Sequence, residues 1–522
     1  MKRLNSLKGV RVLLALLFFI PILLFFVDFS GSLPPSVHHL LEAQVMPALM
    51  WMMWGVVLFH VIFTFVFGRL YCSTLCPAGV LQDIINHLLC RFRKKKNGTY
   101  RFSFHKPLNI LRYSILVLTG ISVFAGVLNL YLLLDPYSNF GRIASNLFRP
   151  LVMWCNNGAA EILMKMDNYS LYQVTINTVT LAGFLSGVIA LSLFIGLTVW
   201  RGRLFCNSVC PVGAFLSLFS RYSLFRISFD PSSCTHCGLC ERTCKAEAID
   251  SKNLHVDASR CVDCFNCISS CAKGGLQYRF RPDLLHKPDS APAKTDASTC
   301  DSNRRDFLKT GVTLAATLPA VSALAQATDK AQTEDPHKWP PITPPGSLSI
   351  ESFKDMCTGC HLCVTQCPSQ VLRPAGFEYG FDYLLKPHMS YKNSYCNYEC
   401  TVCSDICPAH AIRKISKEEK ATTQIGIANF FIERCIVNTE NTDCGACSEH
   451  CPTQAVQMVP FKGTLTIPHV NPDLCIGCGG CESICPVRPL RAIMIKSNEI
   501  HVKVEKPKDE EKKEVEVTDF GF

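Results

Sequence analysis

The strongest constraint on the fold of this chain is a cysteine run that occurs twice. CTHCGLCERTC (234–244) and CVDCFNCISSC (261–271) share the spacing C-x2-C-x2-C-x3-C. In this spacing three cysteines bind one [4Fe-4S] cluster, and the fourth binds the other cluster of a pair. A zinc site needs only four thiolates, usually from two separated C-x2-C pairs, so two intact runs favour iron. The sequence predicts a two-cluster ferredoxin domain over 225–285.

The ligands of both clusters follow from this shared geometry. One cluster is predicted to use Cys234, Cys237, Cys240 and Cys271, and its partner Cys261, Cys264, Cys267 and Cys244. Lys245 and Ala272 stand where proline commonly follows the fourth cysteine. This departure leaves ligation intact and is expected to change only the local turn.

Four further quartets lie in residues 349–500 and predict four more clusters. The second has an extra residue in its first gap, and the third has a long gap between Cys435 and Cys444, as in ferredoxin domains with insertions. The predicted ligands are Cys357, Cys360, Cys363, Cys367, Cys396, Cys400, Cys403, Cys407, Cys435, Cys444, Cys447, Cys451, Cys475, Cys478, Cys481 and Cys485. Pairing among these quartets stays open, because the first can share with the fourth or with its neighbour.

One of these quartets also contains a haem-attachment string. Cys357, Cys360 and His361 follow the pattern C-x-x-C-H. Cys363 and Cys367 complete the cluster spacing, and a haem site has no use for them. We therefore interpret His361 as a residue between cluster ligands.

The first two hundred residues have the composition of a membrane domain. Crossing the hydrocarbon core takes about 20 apolar residues, which the last three runs reach and the first barely does. The four runs are Val12–Val27, Val45–Phe67, Ile110–Leu134 and Val179–Trp200. Lys and Arg are absent from 28–44 and abundant in 69–106, so the N-terminus and the 69–106 loop are predicted to be cytoplasmic. The net charge of +10 is explained better by basic residues in cytoplasmic loops beside apolar segments than by nucleic-acid binding.

A twelve-residue repeat follows the second and fourth runs. GRLYCSTLCPAG (68–79) and GRLFCNSVCPVG (202–213) share the pattern G-R-L-aromatic-C-x3-C-P-x-G. This spacing places both sulfurs of a pair on one face of a helical turn. The redox thiol pairs Cys72, Cys76 and Cys206, Cys210 can bind a metal, form a reversible disulfide or contact a redox partner. The alternative is that they are buried small apolar residues.

An export signal lies in the middle of the chain. Residues 302–327 contain the pair Arg304 and Arg305, an apolar stretch and a small-residue end, which is the pattern of a twin-arginine signal. Such a signal exports a folded domain and offers a fifth membrane crossing. The alternative is a relic signal with the second half left in the cytoplasm.

These motifs together resemble two known families joined end to end. Residues 1 to about 285 resemble the NapH/MauN family of membrane ferredoxins, and residues 302 to about 500 resemble the MauM/NapG family of exported ferredoxins. The expected fold is a helical membrane domain of four spans, with the internal signal segment as a candidate fifth, and α+β bacterial-ferredoxin-like domains. Its parts are a membrane domain 1–220, ferredoxin domains 225–285 and 349–500, a linker 286–348 and a charged tail 501–522.

The resemblance implies a membrane-bound electron carrier with six [4Fe-4S] clusters. Electrons would pass from the quinone pool, as quinol, to a periplasmic reductase or c-type cytochrome, with the first cluster pair cytoplasmic and the last four clusters periplasmic. The alternative is an accessory factor that matures a periplasmic metalloenzyme. Neither function involves nucleic acid.

The quinol site has two candidate residues in the sequence. Quinol oxidation releases protons, so a polar acceptor near the membrane surface is expected. We select Asp135, which opens the Asp-Pro-Tyr turn after the third apolar run, and His60 within the second. Asp28 and Glu42 are weaker candidates on the same side, and a pocket beside Cys76 and Cys210 is the alternative location.

Overall fold

The computed structural model describes residues 2–31, 33, 38–92, 102–126, 128–176, 179–280 and 339–504. The twin-arginine segment 302–327 and the tail from residue 505 lie outside the described residues, as does the linker up to residue 338. The described chain forms a helical domain and two ferredoxin units.

The helical domain contains twelve named helices within the described residues. They are α1 (Lys2–Val27), α2 (His38–Glu42), α3 (Val45–Met50), α4 (Trp54–Phe67), α5 (Tyr71–Thr74), α6 (Pro77–Phe92), α7 (Asn109–Phe124), α8 (Asn129–Leu134), α9 (Pro136–Ile143), α10 (Arg149–Met164), α11 (Leu181–Arg201) and α12 (Pro211–Ser220). Single π-helical segments, Ala144–Phe148 and Phe205–Val209, precede α10 and α12. Proline at the first position of α6, α9 and α12 fits the helix start, where no N–H partner is needed.

The predicted spans are only partly continuous. Two helical segments of the described chain, Leu7–Val27 and Leu181–Arg201, are long and apolar enough to cross a membrane. The second predicted span is broken between α3 and α4, and the third between α7 and α8. The first apolar run is barely long enough by itself to cross a membrane. It nevertheless lies in the longest helix of the described chain, because α1 extends back through the basic residues that precede the run.

The N-terminal ferredoxin unit consists of two antiparallel strand pairs around two cluster loops. Strand β1 (Phe225–Phe229) pairs antiparallel with β4 (Leu276–Phe280), and β2 (Ile249–Asp250) pairs with β3 (His255–Val256). Two short helices, α13 (Leu239–Thr243) and α14 (Asn266–Ser270), each carry the third cysteine of a run. Both begin after a residue in the left-handed region, which turns the chain around the cluster position.

The C-terminal ferredoxin unit repeats this plan with three antiparallel strand pairs. They are β5 (Leu372–Pro374) with β6 (Pro387–Met389), β7 (Thr423–Phe430) with β10 (Ile493–Lys503), and β8 (Val456–Pro460) with β9 (Thr466–Val470). Its helices are α15 (Ile350–Met356), α16 (Leu362–Gln366), α17 (Val402–Asp405), α18 (Lys417–Ala421), α19 (Ile436–Thr439), α20 (Ala446–Glu449) and α21 (Gly480–Ile484). Short 3-10 turns lie at Phe381–Tyr383 and Ile432–Arg434.

The two ferredoxin units lie at opposite ends of the helical domain. In the first half of α1, Arg11 contacts Asp83, and Lys245 of the N-terminal unit binds the same carboxylate. At its other end, the Phe25 carbonyl accepts a 2.6 Å hydrogen bond from Gln366 of the C-terminal unit. Residues 11 and 25 are about 21 Å apart along a helix that rises 1.5 Å per residue.

Candidate iron–sulfur sites and an interfacial cavity

The cysteines of the N-terminal ferredoxin unit group as the spacing predicts. Burial raises the pKa of the Cys244 thiol to about 11, and the neighbouring Cys264 thiol contributes. Cys271 lies beside the other run, since the Gly275 N–H donates to its Sγ over 3.2 Å and Gly275 packs against Cys234. The fourth cysteine of each run therefore lies with the first three of the other.

The cysteines of the C-terminal unit group between sequence neighbours, which favours sharing of ligands between adjacent quartets. In each group, burial raises the pKa of one thiol (Cys363, Cys403, Cys435 or Cys481), and nearby thiols of the same group raise that pKa further. The first two quartets give Cys357, Cys360, Cys363 with Cys407, and Cys396, Cys400, Cys403 with Cys367. The last two give Cys435, Cys444, Cys447 with Cys485, and Cys475, Cys478, Cys481 with Cys451.

These four groups form a continuous series that begins at the helical domain. The first group touches it, because Gly141 of α9 packs against the Cys360 carbonyl and His361 Nδ1 lies 3.0 Å from Asn146 Nδ2. His361 Nε2 also lies 2.9 Å from the Leu385 carbonyl, so both ring nitrogens are occupied by packing contacts. Further along, the Cys396 N–H donates to the Cys478 carbonyl over 2.9 Å and joins the second group to the last quartet.

The two C-x3-C-P motifs meet in one buried site. Cys72, Cys76, Cys206 and Cys210 are each at most 5% exposed. Burial raises the pKa of the Cys210 thiol well above its ordinary value, and the other three motif thiols raise it further. The sequence treats them as two separate pairs, but the fold brings all four together. Cys210 leaves the helical turn for extended backbone at the start of α12, so its pair does not share one helical face.

An arginine from each motif secures the other motif. Arg69 donates to the Cys206 carbonyl at 2.9 Å, to Asn207 Oδ1 at 2.9 Å and to the Ser259 carbonyl at 3.0 Å. Arg203 donates to the Cys72 carbonyl at 2.9 Å. Both guanidinium groups are at most 1% exposed. The repeat pattern contains both arginines but assigns them no role, and their presence in both copies is the signal of a shared function.

The glycine that ends each motif is required by close packing. A Cβ atom at Gly79 would lie 2.1 Å from the Cys72 carbonyl oxygen, and one at Gly213 would lie 2.1 Å from the Cys206 carbonyl oxygen. The Gly213 N–H donates to Cys210 Sγ over 3.3 Å. The repeat therefore encodes two equivalent loops around one site.

Asp83 joins the helical domain to the N-terminal ferredoxin unit. Its carboxylate lies 2.7 Å from Arg203, 2.8 Å from Lys245 and in contact with Arg11. Burial would raise the pKa of Asp83, but Arg203, Lys245 and Arg11 hold it well below its usual range. Lys245 thus does more than alter a turn at the position where proline is common: it anchors the unit.

The two quinol candidates from the sequence occupy packing positions. Asp135 is fully buried and caps α9, accepting from the Ser138 N–H at 2.7 Å and the Ser138 hydroxyl at 2.6 Å. His60 lies 2.8 Å from the Ala43 carbonyl through Nε2, and its ring packs edge-on against Tyr71. Neither residue lines the cavity described next.

A cavity of about 800 Å³ lies between the helical domain and the C-terminal unit. Its walls come from the end of α1 and the following turn, from α2, from Arg149, and from the segments around Cys367 and Val402. Cys367 belongs to the second cysteine group of the C-terminal unit. His38 and His39 line the cavity and lie 3.5 Å and 3.1 Å from Glu42. Its walls come from distant segments, so the sequence contained no signal for it.

The segments that match known protein families contain the cysteine motifs described above. The family described as "4Fe-4S binding domain" (Fer4_5) matches 48–97 and 183–230, the segments of the two C-x3-C-P motifs. Two families described as "4Fe-4S dicluster domain" match 226–272 and 442–488, and another 4Fe-4S binding domain matches 354–380. No solved structure matches.

Three curated proteins are similar to this chain over about 42% of its length. The Methanocaldococcus jannaschii protein MJ0750, described as uncharacterized, is 30% identical over 42% of this chain and 76% of its own length. The chain belongs to the same family as MJ0750 and is similar to the NapH and MauN ferredoxin-type proteins. MauN of Methylobacillus flagellatus, a methylamine utilization ferredoxin-type protein, is 28% identical over 42% of this chain and 65% of its length. NapH of Escherichia coli K12 is 26% identical over 42% of this chain and 64% of its length. This NapH- and MauN-like chain is an iron–sulfur electron-transfer protein with several 4Fe-4S domains.

Proposed function

We propose that this protein is bound to a membrane and passes electrons from quinol, through its C-terminal clusters, to a periplasmic reductase or c-type cytochrome. The observation that carries the proposal is the cavity of about 800 Å³ that reaches Cys367, a predicted cluster ligand, at the end of α1. Cavities of this size hold small organic ligands. A quinol ring bound here would lie directly against a cluster site.

The walls of the cavity suit a quinol headgroup. Phe25, Phe29 and Ile406 supply apolar surface, while His38 and His39 supply proton acceptors backed by Glu42. Oxidation of one quinol releases two electrons and two protons. Cys367 and its group would hold a cluster that can accept electrons one at a time, and His38 and His39 would take up the two protons. Asp28 is a poorer acceptor, because its carboxylate already accepts the N–H groups of the turn that follows it.

Membrane binding is supported by the outer surface of the helices. Many large apolar side chains of α1, α4, α7 and α11 face outward, including Leu13, Phe59 and Ile189 at 68%, 58% and 66% exposure. A soluble monomer rarely exposes so extensive an apolar surface. Trp54 begins α4 and Trp200 lies in the last turn of α11, at opposite ends of the helical domain, and tryptophan is enriched at both membrane interfaces.

The direction of transfer follows from the placement of the units. The basic start of α1 lies at the end that holds the N-terminal unit, which supports a cytoplasmic location for that unit by the positive-inside rule. The C-terminal unit then faces the periplasm, in agreement with a twin-arginine signal before it. We propose that the chain is a natural fusion in which this second half corresponds to a MauM/NapG-type ferredoxin. The whole chain carries clusters at all six quartets. Electrons leave it for the reductase from the cysteine group that includes Cys485.

The experiment measures the rate at which a soluble quinol reduces the clusters of the full-length protein. The variant His38→Ala/His39→Ala removes the proton acceptors and should slow reduction by quinol at least tenfold, since positioned acid–base groups contribute about 10²–10⁴. Reduction by dithionite should stay unchanged, because it needs no proton acceptor. The control His87→Ala alters an exposed histidine of α6 that does not line the cavity.

Unchanged quinol kinetics in the double variant would overturn the cavity as the site and favour a pocket near Cys76 and Cys210. Loss of reduction by both donors would indicate damaged clusters, and the intermediate variant His38→Gln/His39→Gln then tests the site with smaller disturbance. In cells, a deletion strain supplied with preassembled reductase should still lack quinol-linked activity. Restored activity would instead indicate a maturation factor.

A further inference from the structure

We propose that Cys72, Cys76, Cys206 and Cys210 together bind one further iron–sulfur cluster, which relays single electrons between the N-terminal and C-terminal ferredoxin units. The proposal goes beyond quinol oxidation and does not depend on it. It assigns the two motifs to one shared site, in which each motif supplies two thiolates. The family match over these segments describes 4Fe-4S binding but not a site shared between the two halves.

The arrangement of the four thiols fits a cluster better than a single ion or disulfides. All four are buried in one group, and none is in a disulfide. A tetrahedral zinc site with Zn–S bonds of about 2.3 Å brings its sulfurs within about 3.8 Å of each other. Within the described ranges, the one group of at least three metal-ligating atoms that meets within 4.8 Å is His38, His39 and Glu42. The motif thiols are therefore too widely spaced for one ion, as are the ferredoxin quartets.

The surroundings of the thiols are prepared for negative charge. Four thiolates around an iron–sulfur core leave a net charge of about −2 in a buried place, which needs nearby compensation. Arg69 is fully buried, forms no ion pair within the described part of the chain, and points Nη2 at Cys72 Sγ from 3.8 Å. Asp263 lies near Arg69 and offsets part of its positive charge, and the contact of Nη2 with Cys72 Sγ lets the same guanidinium offset the charge of a cluster bound there.

A buried amide gives an independent sign of an occupant. Gln82 is fully buried, and its Oε1 accepts a 3.0 Å hydrogen bond from Cys206 Sγ, so exchanging the amide N and O positions would let Nε2 donate to a Cys206 thiolate instead. The other end of this amide, Nε2, has no hydrogen-bond partner among the described residues. Cluster sulfurs are acceptors, and hydrogen bonds to them are a normal part of such sites. The Gly213 N–H already provides one to Cys210.

The location of the site makes it a relay. On one side, Arg69 and Asn207 of the motifs contact the carbonyls of Ser259 and Ala246, in the loops that carry Cys261 and Cys244. On the other side, α9 packs against both α6 and the Cys360 loop. A cluster here divides the helical domain into two shorter steps. In each step the donor cluster loses one electron and the acceptor gains it, and no proton is transferred.

The test compares iron and acid-labile sulfide in the full-length protein purified without oxygen. Six four-iron clusters account for about 24 irons, so the wild type should contain about 28 with a four-iron cluster at the motifs, or about 26 with a two-iron cluster. Cys76→Ser/Cys210→Ser removes one ligand from each motif and should return the count to about 24. The control Cys155→Ser alters an exposed cysteine of α10 outside all of these groups and should match the wild type.

A second readout separates a relay from a structural role. In liposomes, a membrane-impermeant reductant on one side should reduce both ferredoxin units of the wild type and of Cys155→Ser. In Cys76→Ser/Cys210→Ser, reduction of the far unit should be at least tenfold slower while the near unit is unaffected. Equal iron in the double variant and the wild type would overturn the proposal. If the double variant does not fold, an iron count of about 24 in a wild type whose six quartets are all spectroscopically occupied would overturn it as well.

Discussion

Arg203 donates a hydrogen bond of 2.9 Å to the carbonyl oxygen of Cys72, 131 residues away in the other C-x3-C-P motif. Arg69 makes the equivalent contact with Cys206 at 2.9 Å. Each motif therefore fixes the cysteine loop of its partner. A repeat in the sequence becomes, in the fold, one site with two equivalent halves.

The glycines of this repeat give the first prediction. Gly79→Ala and Gly213→Ala each place a methyl group 2.1 Å from the carbonyl oxygen of the first cysteine in the same motif. We expect each to destabilise the protein by about 1–3 kcal/mol or more, because neither backbone can move without disturbing the cysteines. Thermal unfolding measures the effect. Gly158→Ala in α10 is the matched control, since its Cβ meets nothing within 4 Å and should be neutral or stabilising.

The anchor at Asp83 gives the second prediction. Asp83→Asn removes the only anion among Arg11, Arg203 and Lys245 in the described structure, and leaves three buried cations together. We expect a loss of about 3–5 kcal/mol in the free energy of unfolding, as for other broken buried ion pairs. Asp167→Asn changes an exposed acid and should cost little. Equal stability of the two variants would show that Asp83 is not an anchor.

The same carboxylate predicts a pH dependence. Burial alone would raise the pKa of Asp83, but Arg203, Lys245 and Arg11 lower it below the unfolded value of about 3.9. A depressed pKa in the folded state stabilises the protein above the unfolded pKa, and this stabilisation is lost as the pH falls through the folded value. The stability difference between wild type and Asp83→Asn should thus be constant from about pH 8 to 6 and shrink below about pH 4. A difference that already shrinks near pH 7 would contradict this.

Pairing of the C-terminal quartets gives the fourth prediction. The structure groups Cys407 with the first quartet and Cys367 with the second. Cys407→Ser should remove about four irons, and Cys357→Ser/Cys407→Ser should remove no more, because both cysteines serve one cluster. Cys396→Ser/Cys407→Ser should remove about eight, measured by iron analysis of the purified protein. A loss of about eight irons from Cys357→Ser/Cys407→Ser would return the pairing to the alternative in which the first quartet shares with the fourth, because Cys407 would then serve a different cluster from Cys357.

Much of the local chemistry could be predicted from the sequence, because cluster loops are short and their spacing fixes their shape. Cys271 and Cys244 lie where the run spacing predicts. The pairing of the later quartets stayed open, since it depends on which loops pack together and not on spacing within a loop.

The features that the sequence did not predict depend on contacts between distant segments. Arg69 and Cys206 meet only because α4 and α11 end beside each other, and the cavity next to Cys367 needs the C-terminal unit docked on α1. The breaks around Met52 and Gly126 also escaped prediction, because an apolar run gives no signal for where a helix is interrupted.

The measurement that tests the central claim most directly is the sidedness of the two ferredoxin units. Lys417 in the C-terminal unit and Lys252 in the N-terminal unit are both exposed and open to a protease that cleaves after lysine. We expect cleavage near Lys417 in intact spheroplasts, and cleavage at Lys252 only after the membrane is permeabilised. Cleavage of both sites, or of neither, in intact spheroplasts would contradict an electron carrier with one ferredoxin unit on each side of a membrane.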